Sequence, residues 1–183
     1  MEIRITTKHI LNVLNVLSWI IFLGLCVEAG GVIFNALYVL YKPLVAKYFW
    51  NGADLSALIA HDKGYFIVQT VLMSIAAVMK ALLFYIIVTM FYNKKLSIAK
   101  PFGPELTIIV IKIAWLCLGA GFFSIWGLRY ATWLKTQGIN MPDVHLLHID
   151  GGDVWLFMAV VLFVISQIFK KGSELQKESE LTV

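Results

Sequence analysis

Four ionisable residues lie within long apolar stretches of this sequence: Glu28, Lys80, Lys112 and Arg129. A charge at the centre of a bilayer is costly, so such residues usually face protein or water and often mark a functional site. Lys112 lies one to two turns inside its stretch, where a lysine side chain can reach the nearer surface. The other three predict an intramembrane charge network, in which Glu28 approaches Lys80 or Arg129. The network could relay a proton or a substrate, and a structural ion pair is the simpler alternative.

A second set of polar residues follows the third apolar stretch. His145 and His148 would share one face of a helical turn, Asp143 and Asp150 flank them, and His61 lies in an earlier loop. Histidine titrates near neutral pH and binds transition metals, so these residues predict an exterior sensing or metal site. The alternative is a polar loop open to water, which a single H-x-x-H pair without a glutamate favours. No resident cofactor is expected.

Four apolar stretches position these residues. They cover about residues 10–41, 65–92, 106–134 and 152–169. A membrane-spanning helix needs about 20 mostly apolar residues, and a composition of 60% hydrophobic and 14% charged residues leaves too little polar surface for a soluble domain. Hydrocarbon offers backbone groups no hydrogen-bond partner, so the stretches must be helices. The sequence predicts one all-α domain over residues 1–183, an integral membrane four-helix bundle.

The first apolar stretch is longer than one membrane crossing. Residues 10–41 would extend about 48 Å as a helix, against a hydrocarbon core of about 30 Å. The Gly30-Gly31 pair predicts a weak point, with the crossing ending near it and Val32–Tyr41 continuing outward as a helix. Pro43 ends the stretch, and Asp54 is expected to cap a short helix in the following loop.

The distribution of Lys and Arg predicts the orientation in the membrane. One side receives eight of these residues and the other receives four, so both termini, including the tail 170–183, are predicted to be cytoplasmic. The net charge of +4 is therefore a topology signal, and no direct contact with nucleic acid is expected. The eight are Arg4, Lys8, Lys94, Lys95, Lys100, Lys170, Lys171 and Lys177, and the four are Lys42, Lys47, Lys63 and Lys135.

Common membrane enzymes lack their ligands or nucleophiles in this sequence. Haem-binding membrane helices carry histidines within the spans, whereas the four histidines here lie at span ends or in loops. Cys26 and Cys117 lie inside spans without a C-x-x-C pair. The intramembrane serines have no histidine at a comparable depth. The protein is therefore not expected to be an enzyme.

Two segments of the chain carry a resemblance. The first is the end of the chain, Lys170–Val183, where an acidic stretch is followed by Leu-Thr-Val, and the second is Asn93–Trp115, where Lys100-Pro101-Phe102 leads into the third apolar stretch. Both segments resemble an uncharacterised bacterial family of four-span inner-membrane proteins, a domain-of-unknown-function family, which implies a bacterial inner membrane. The family has no established catalytic residues to carry over. Its genes often stand beside one for a Cro/CI-type helix-turn-helix regulator, which implies a cytosolic transcription regulator as partner.

The tail beyond the fourth stretch suggests how that partner could bind. Residues 170–183 are too few and too charged to form a core, so the tail either docks on a partner through Leu175, Leu181 and Val183 or simply continues the fourth helix. The leading hypothesis is a regulatory or sensory membrane protein. The alternative is a small transporter or channel-like protein that uses Glu28 and Lys80, and an immunity or membrane-stress protein is a third possibility.

Overall fold

The computed structural model describes residues 7–92 and 104–181, and every regular element in these two ranges is helical. The helices are α1 (Thr7–Tyr41), α2 (Ser56–His61), α3 (Lys63–Tyr92), α4 (Pro104–Thr136) and α5 (Gly152–Leu181), with short 3-10 turns at Pro43–Tyr48, Trp50–Gly52 and Val144–Leu147. Four of them are long and apolar enough to cross a membrane. The prediction of an all-α protein with four candidate spans is thus confirmed.

Each long helix packs mainly on its neighbour in the chain, in the order α1, α3, α4, α5. Neighbouring helices are antiparallel. Phe22 of α1 contacts Tyr85 near the end of α3, whereas Val39, later in α1, shares a core with Phe66 near the start of α3. Along α4, Gly119 and Gly127 lie beside Met79 and Leu72 of α3, and Trp115 and Gly121 contact Phe163 and Gly152 of α5. The four spans therefore form a row with α1 and α5 at its edges. We call the end that holds residues 42–62 and 137–151 the loop end, and the opposite end the terminal end.

Glycines on α4 allow close approach of its neighbours. A Cβ atom on Gly121 would lie 2.8 Å from the carbonyl oxygen of Gly152, and one on Gly119 would lie 2.6 Å from the Met79 side chain. Small residues at such crossings bring helix backbones together and let dispersion forces hold them. Gly121 thereby sets the level along α4 at which α5 begins.

The larger apolar core lies at the loop end, and all elements except α5 contribute to it. Its fully buried side chains include Phe49, Leu55, Leu58 and Phe66. A smaller cluster of Leu83, Cys117 and Ala159 joins α3, α4 and α5 nearer the terminal end. The loop end is thus a packed unit that can hold polar side chains in fixed positions. The larger core consists of Val32, Val39, Ala46, Phe49, Ala53, Leu55, Leu58, Phe66, Met73, Ala131, Leu134, Ile139, Met141, Leu147 and Ile149.

The prediction of a weak point at Gly30-Gly31 is wrong, because α1 is continuous through both residues to Tyr41. The role of Gly31 is instead to admit a neighbour: a Cβ atom there would overlap the ring of Trp50. The main-chain carbonyl of Gly31 also accepts a 2.8 Å hydrogen bond from the Asn35 amide. The helix does continue over Val32–Tyr41, as predicted.

In the loop after α1, Asp54 accepts hydrogen bonds from the backbone N–H and the hydroxyl of Ser56, the first residue of α2. These bonds to the carboxylate lower the pKa of Asp54. Asp54 thus binds the first residue of the predicted short helix, but Leu55 occupies the N-cap position itself. The charge at this position also suits the positive end of a helix dipole.

The connection between α4 and α5 folds back along α4. After α4 ends at Thr136, the chain returns until Ile149 packs on Gly127, and α5 starts beside Gly121. Gly121 lies about 22 Å from the end of α4 at 1.5 Å per residue. The returning loop therefore places its polar residues well inside the helix row.

Candidate functional site

His148 is the meeting point of three elements that are distant in sequence. Its backbone carbonyl oxygen accepts a 3.0 Å hydrogen bond from Lys80 Nζ of α3. Its ring atom Nδ1 lies 3.7 Å from Glu28 Oε1 of α1, and its Nε2 lies 3.1 Å from Asn51 Nδ2. We call these four residues, Glu28, Asn51, Lys80 and His148, the His148 cluster.

Local structure explains how His148 reaches this position. The Asp143 carboxylate accepts a hydrogen bond from the backbone N–H of His145 and so starts the 3-10 turn. His148 ends that turn in the left-handed conformation, with φ of 54°. Its neighbours Leu147 and Ile149 are each 1% exposed, so two apolar anchors hold the residue on both sides. The backbone conformation, uncommon for a residue other than glycine, is maintained by this packing.

Hydrogen-bond roles within the cluster depend on the protonation of His148. In the neutral ring, Asn51 Nδ2 donates to an unprotonated Nε2, which leaves the proton on Nδ1, facing the Glu28 carboxylate. In the doubly protonated ring both nitrogens are donors, so Asn51 must turn its amide oxygen toward Nε2. Protonation would also strengthen the attraction to Glu28. The cluster can therefore exist in two arrangements that differ by one proton.

The His148 cluster is partly shielded from solvent. The side chains of His148 and Glu28 are 27% and 22% exposed, and Lys80 is buried at 8% exposure among Ala76, Ala77 and Ala81. The sequence predicts that Glu28 and Lys80 are neighbours, and in the structure they approach His148 from the adjacent helices α1 and α3. Within the described residues no direct ion pair links them. Arg129, the third predicted member, is exposed on α4 and lies outside the cluster.

The predicted exterior set is divided by the structure. His145 Nδ1 lies 2.8 Å from Asp150 Oδ2, on the surface, while His148 faces the interior of the row. The hydrogen bond from Asp150 and the negative charges of Asp150 and Asp143 raise the pKa of His145. His61 instead stacks on Tyr65, with ring centroids 5.8 Å apart.

These placements bear on metal binding. In the ranges that the structure describes, no three His, Cys, Asp or Glu side chains come close enough to hold a metal ion. The His145–Asp150 pair offers two such side chains.

Asn51 was absent from the sequence-based candidates. It adopts the left-handed conformation with φ of 55° and precedes Gly52, which has φ of 82°. An Asn-Gly pair is a strong turn signal, so the turn could have been found. Its contact with His148 could not, because 97 positions separate the two residues.

The segment after the fourth apolar stretch continues α5 as a helix to Leu181. Leu175 is 56% exposed on it, and Lys171 forms a 3.4 Å ion pair with Glu174 one turn later. The helix-continuation alternative therefore describes its conformation up to Leu181, although the Leu181 side chain and Val183 lie outside the described residues. Lys94, Lys95 and Lys100 also lie outside them, and the cytoplasmic orientation stays a prediction.

Comparisons with known proteins identify a family. The family described as "Protein of unknown function (DUF2975)" matches residues 50–183. No curated protein and no solved structure matches the chain. The matched range contains Asn51, Lys80 and His148, whereas Glu28 precedes it.

Proposed function

The chain belongs to this family of unknown function, and we propose that it is a multi-pass membrane protein that senses a condition at its loop end and signals to a cytosolic transcription regulator. The observation that carries the proposal is the convergence of α1, α3 and two loops on His148, which contacts Glu28 of α1, Lys80 of α3 and the loop residue Asn51. A sensor requires a residue whose state affects several elements at once, and His148 has that position.

The chain offers a direct route from the cluster to the terminal end. His148 lies four positions before Gly152, the first residue of α5, and α5 is one continuous helix to Leu181. A shift of the 144–151 segment therefore moves the start of a rigid helix. Because packed helix contacts have discrete arrangements, a small change at such a point can shift the far end of the element.

Protonation of His148 is the change of state that we propose. A proton on Nε2 removes the acceptor for Asn51 Nδ2 and adds a positive charge 3.7 Å from Glu28 at Nδ1. The carbonyl of the same residue remains bound to Lys80. The loop would then pivot about the Lys80 contact as the Asn51 amide turns its oxygen toward Nε2.

The proposed output surface is the end of α5, on the cytoplasmic side of a bacterial inner membrane. Leu175 is exposed there, and we propose that it binds the regulator together with Leu181 and Val183, with the glutamates as a charged rim. The regulator proposed is of the helix-turn-helix type implied by the resemblance of the tail. The basic segment Lys94–Lys100 is proposed to contribute.

The test is a binding measurement with the purified membrane protein in nanodiscs and the helix-turn-helix protein encoded nearest to its gene. Deletion of Ser173–Val183 should abolish binding, and Leu175→Asp should weaken it strongly. Val164→Ala, on the same helix but within the apolar span, is the matched control and should bind normally. Unchanged binding by the deletion variant would contradict the proposal.

The second candidate function is transport, and the convergence of opposite charges favours it. Glu28 and Lys80 reach His148 from two helices and provide a carboxylate, an ammonium group and an imidazole in one cluster. Ionisable groups placed together in this way can relay a proton from one side chain to the next. Glu28→Gln in proteoliposomes should abolish proton-coupled uptake if this function is correct, whereas Glu174→Gln, exposed on α5, should not affect it.

A further inference from the structure

The helices of the row differ in the length of the exposed apolar surface that they can present to lipid. On α3 the residues from Tyr65 to Tyr92 would extend about 40 Å, and the exposed ones in the loop-end half are apolar: Ile67, Val68 and Val71 are 42%, 44% and 47% exposed. The polar residues Gln69 and Thr70 of this segment are buried. This side of the protein is therefore suited to hydrocarbon along almost its whole length.

The α1 edge also exposes apolar side chains toward the loop end. Phe34 and Leu37, beyond the level of Glu28 toward the loop end, are 66% and 65% exposed. Leaving such a surface in water would be unfavourable by about 25 cal/mol per Å² of apolar area. Lipid contact at these positions removes that cost.

At the α5 edge the apolar surface is short. It runs from Val154 to Phe169, which corresponds to about 24 Å, less than the hydrocarbon core of about 30 Å. At its loop-end limit stand the exposed residues Asp153 and Asp150 together with His145, whose side chain is 80% exposed. These groups need water or lipid headgroups, because charge in hydrocarbon is costly.

Packing contacts with α4 show that Val71 of α3 and the start of the apolar surface of α5 lie at different heights along the row. Gly127 of α4 packs on Leu72 of α3, and Gly121 of α4 packs on Gly152 of α5. Because six positions of α4 separate these glycines, Val71 lies about 9 Å nearer the loop end than the first residue of α5. Asp153, the residue after Gly152, is thus deeper in the row than the apolar Val71, whereas Asp150 follows Ile149, which packs at the level of Gly127.

We propose that the start of α5, with the exposed Asp153, forms a notch that phospholipid headgroups and water enter, so that the leaflet at the loop end is thinned beside α5. Bilayers adjust to short apolar segments by local thinning at a modest cost per ångström, whereas burying Asp153 in hydrocarbon is costly. The proposal does not depend on the sensing function.

The test compares two single-cysteine variants of the full chain with Cys26 and Cys117 replaced by serine. Val154→Cys reports the start of α5, and Val71→Cys reports α3; both native side chains are exposed. Each carries a nitroxide label in phosphatidylcholine vesicles, where collision rates with a water-soluble nickel chelate and with oxygen are measured. The expected result is several-fold more nickel collision at position 154 than at position 71, with the opposite order for oxygen.

Three results would overturn the proposal. Low nickel collision at both positions would mean that lipid covers the α5 edge to the same height. High collision at both would mean that the loop end projects into water. Shielding of position 154 from both reagents, relieved by dilution with excess lipid, would mean that a second copy of the chain fills the notch.

A further variant tests whether the charge of Asp153 is the reason that water reaches position 154. Asp153→Leu extends the apolar surface of α5 and should lower the nickel collision rate at position 154 in the vesicles. Phe157→Cys, one turn deeper and 66% exposed, should be oxygen-accessible in both backgrounds. An unchanged rate at position 154 in the Asp153→Leu background would contradict the role of this charge.

Discussion

Lys80 and His148 are joined by a hydrogen bond of 3.0 Å from the lysine Nζ to the histidine backbone carbonyl oxygen, across 68 positions of sequence. Because the acceptor is a main-chain atom, the bond orients the loop whatever the state of the imidazole ring. Lys80 is therefore a positioning residue for the loop, and the ring remains free to respond to Glu28 and Asn51.

Removal of this bond should destabilise the protein. Lys80→Met keeps the aliphatic stem but leaves the His148 carbonyl without its charged donor, and a hydrogen bond to a charged group contributes about 1.5–3 kcal/mol. The free energy of unfolding in detergent micelles should fall by an amount in that range. The control is Lys112→Met at an exposed position of α4, which should change it little. Equal free energies of unfolding for the two variants would exclude a stabilising role for the bond between Lys80 and the His148 carbonyl.

Glu28 and His148 should be energetically coupled, because their atoms Oε1 and Nδ1 are 3.7 Å apart. A double-mutant cycle with Glu28→Gln and His148→Asn, read from unfolding in micelles, should give a coupling of about 0.5 kcal/mol or more. Asparagine tolerates the left-handed backbone of residue 148. Strict additivity of the two substitutions would show that the two side chains do not interact.

The pKa of His145 should be above the ordinary value of 6.5. Asp150 stabilises the protonated ring, so the folded state binds this proton more tightly than the unfolded chain. The stabilisation is fully present below pH 6.5 and is lost as the pH rises through the raised pKa. NMR titration of the histidine ring provides the measurement, and Asp150→Asn should return the pKa toward 6.5. No change in that variant would disprove the role of Asp150.

The crossing of α4 and α5 should be intolerant of a single methyl group. Gly121→Ala would bring a Cβ atom 2.8 Å from the Gly152 carbonyl oxygen, and overpacking of this kind costs about 1–3 kcal/mol. Gly24→Ala on α1 has nothing within 4 Å of the new atom and gains helix propensity. Thermal unfolding in micelles should show a lower midpoint for the first variant and an equal or higher one for the second. Similar midpoints would show that the helices can separate without cost.

Three of the four members of the His148 cluster, Glu28, Lys80 and His148, can be predicted from the sequence, but their grouping around His148 cannot. Glu28 and Lys80 stood out because charges in apolar stretches are rare. His148 was grouped with His145 because the two share a helical spacing, yet the left-handed conformation at His148 ends the turn and points its ring elsewhere. Asn51 gave only a turn signal, since nothing local indicates that a loop amide will meet a histidine 97 positions later.

The apolar stretches alone predict a helical chain with four candidate spans, because uninterrupted apolar stretches in lipid can satisfy their backbone groups only within a helix. Three features become visible only in the folded chain: the spans form a row, the α4–α5 connection turns back beside α4, and α1 passes Gly31 without a break to receive Trp50. These features depend on contacts between side chains of different elements, such as Gly121 with Gly152. Such contacts follow from shape and register in three dimensions, and no local pattern of residues specifies them.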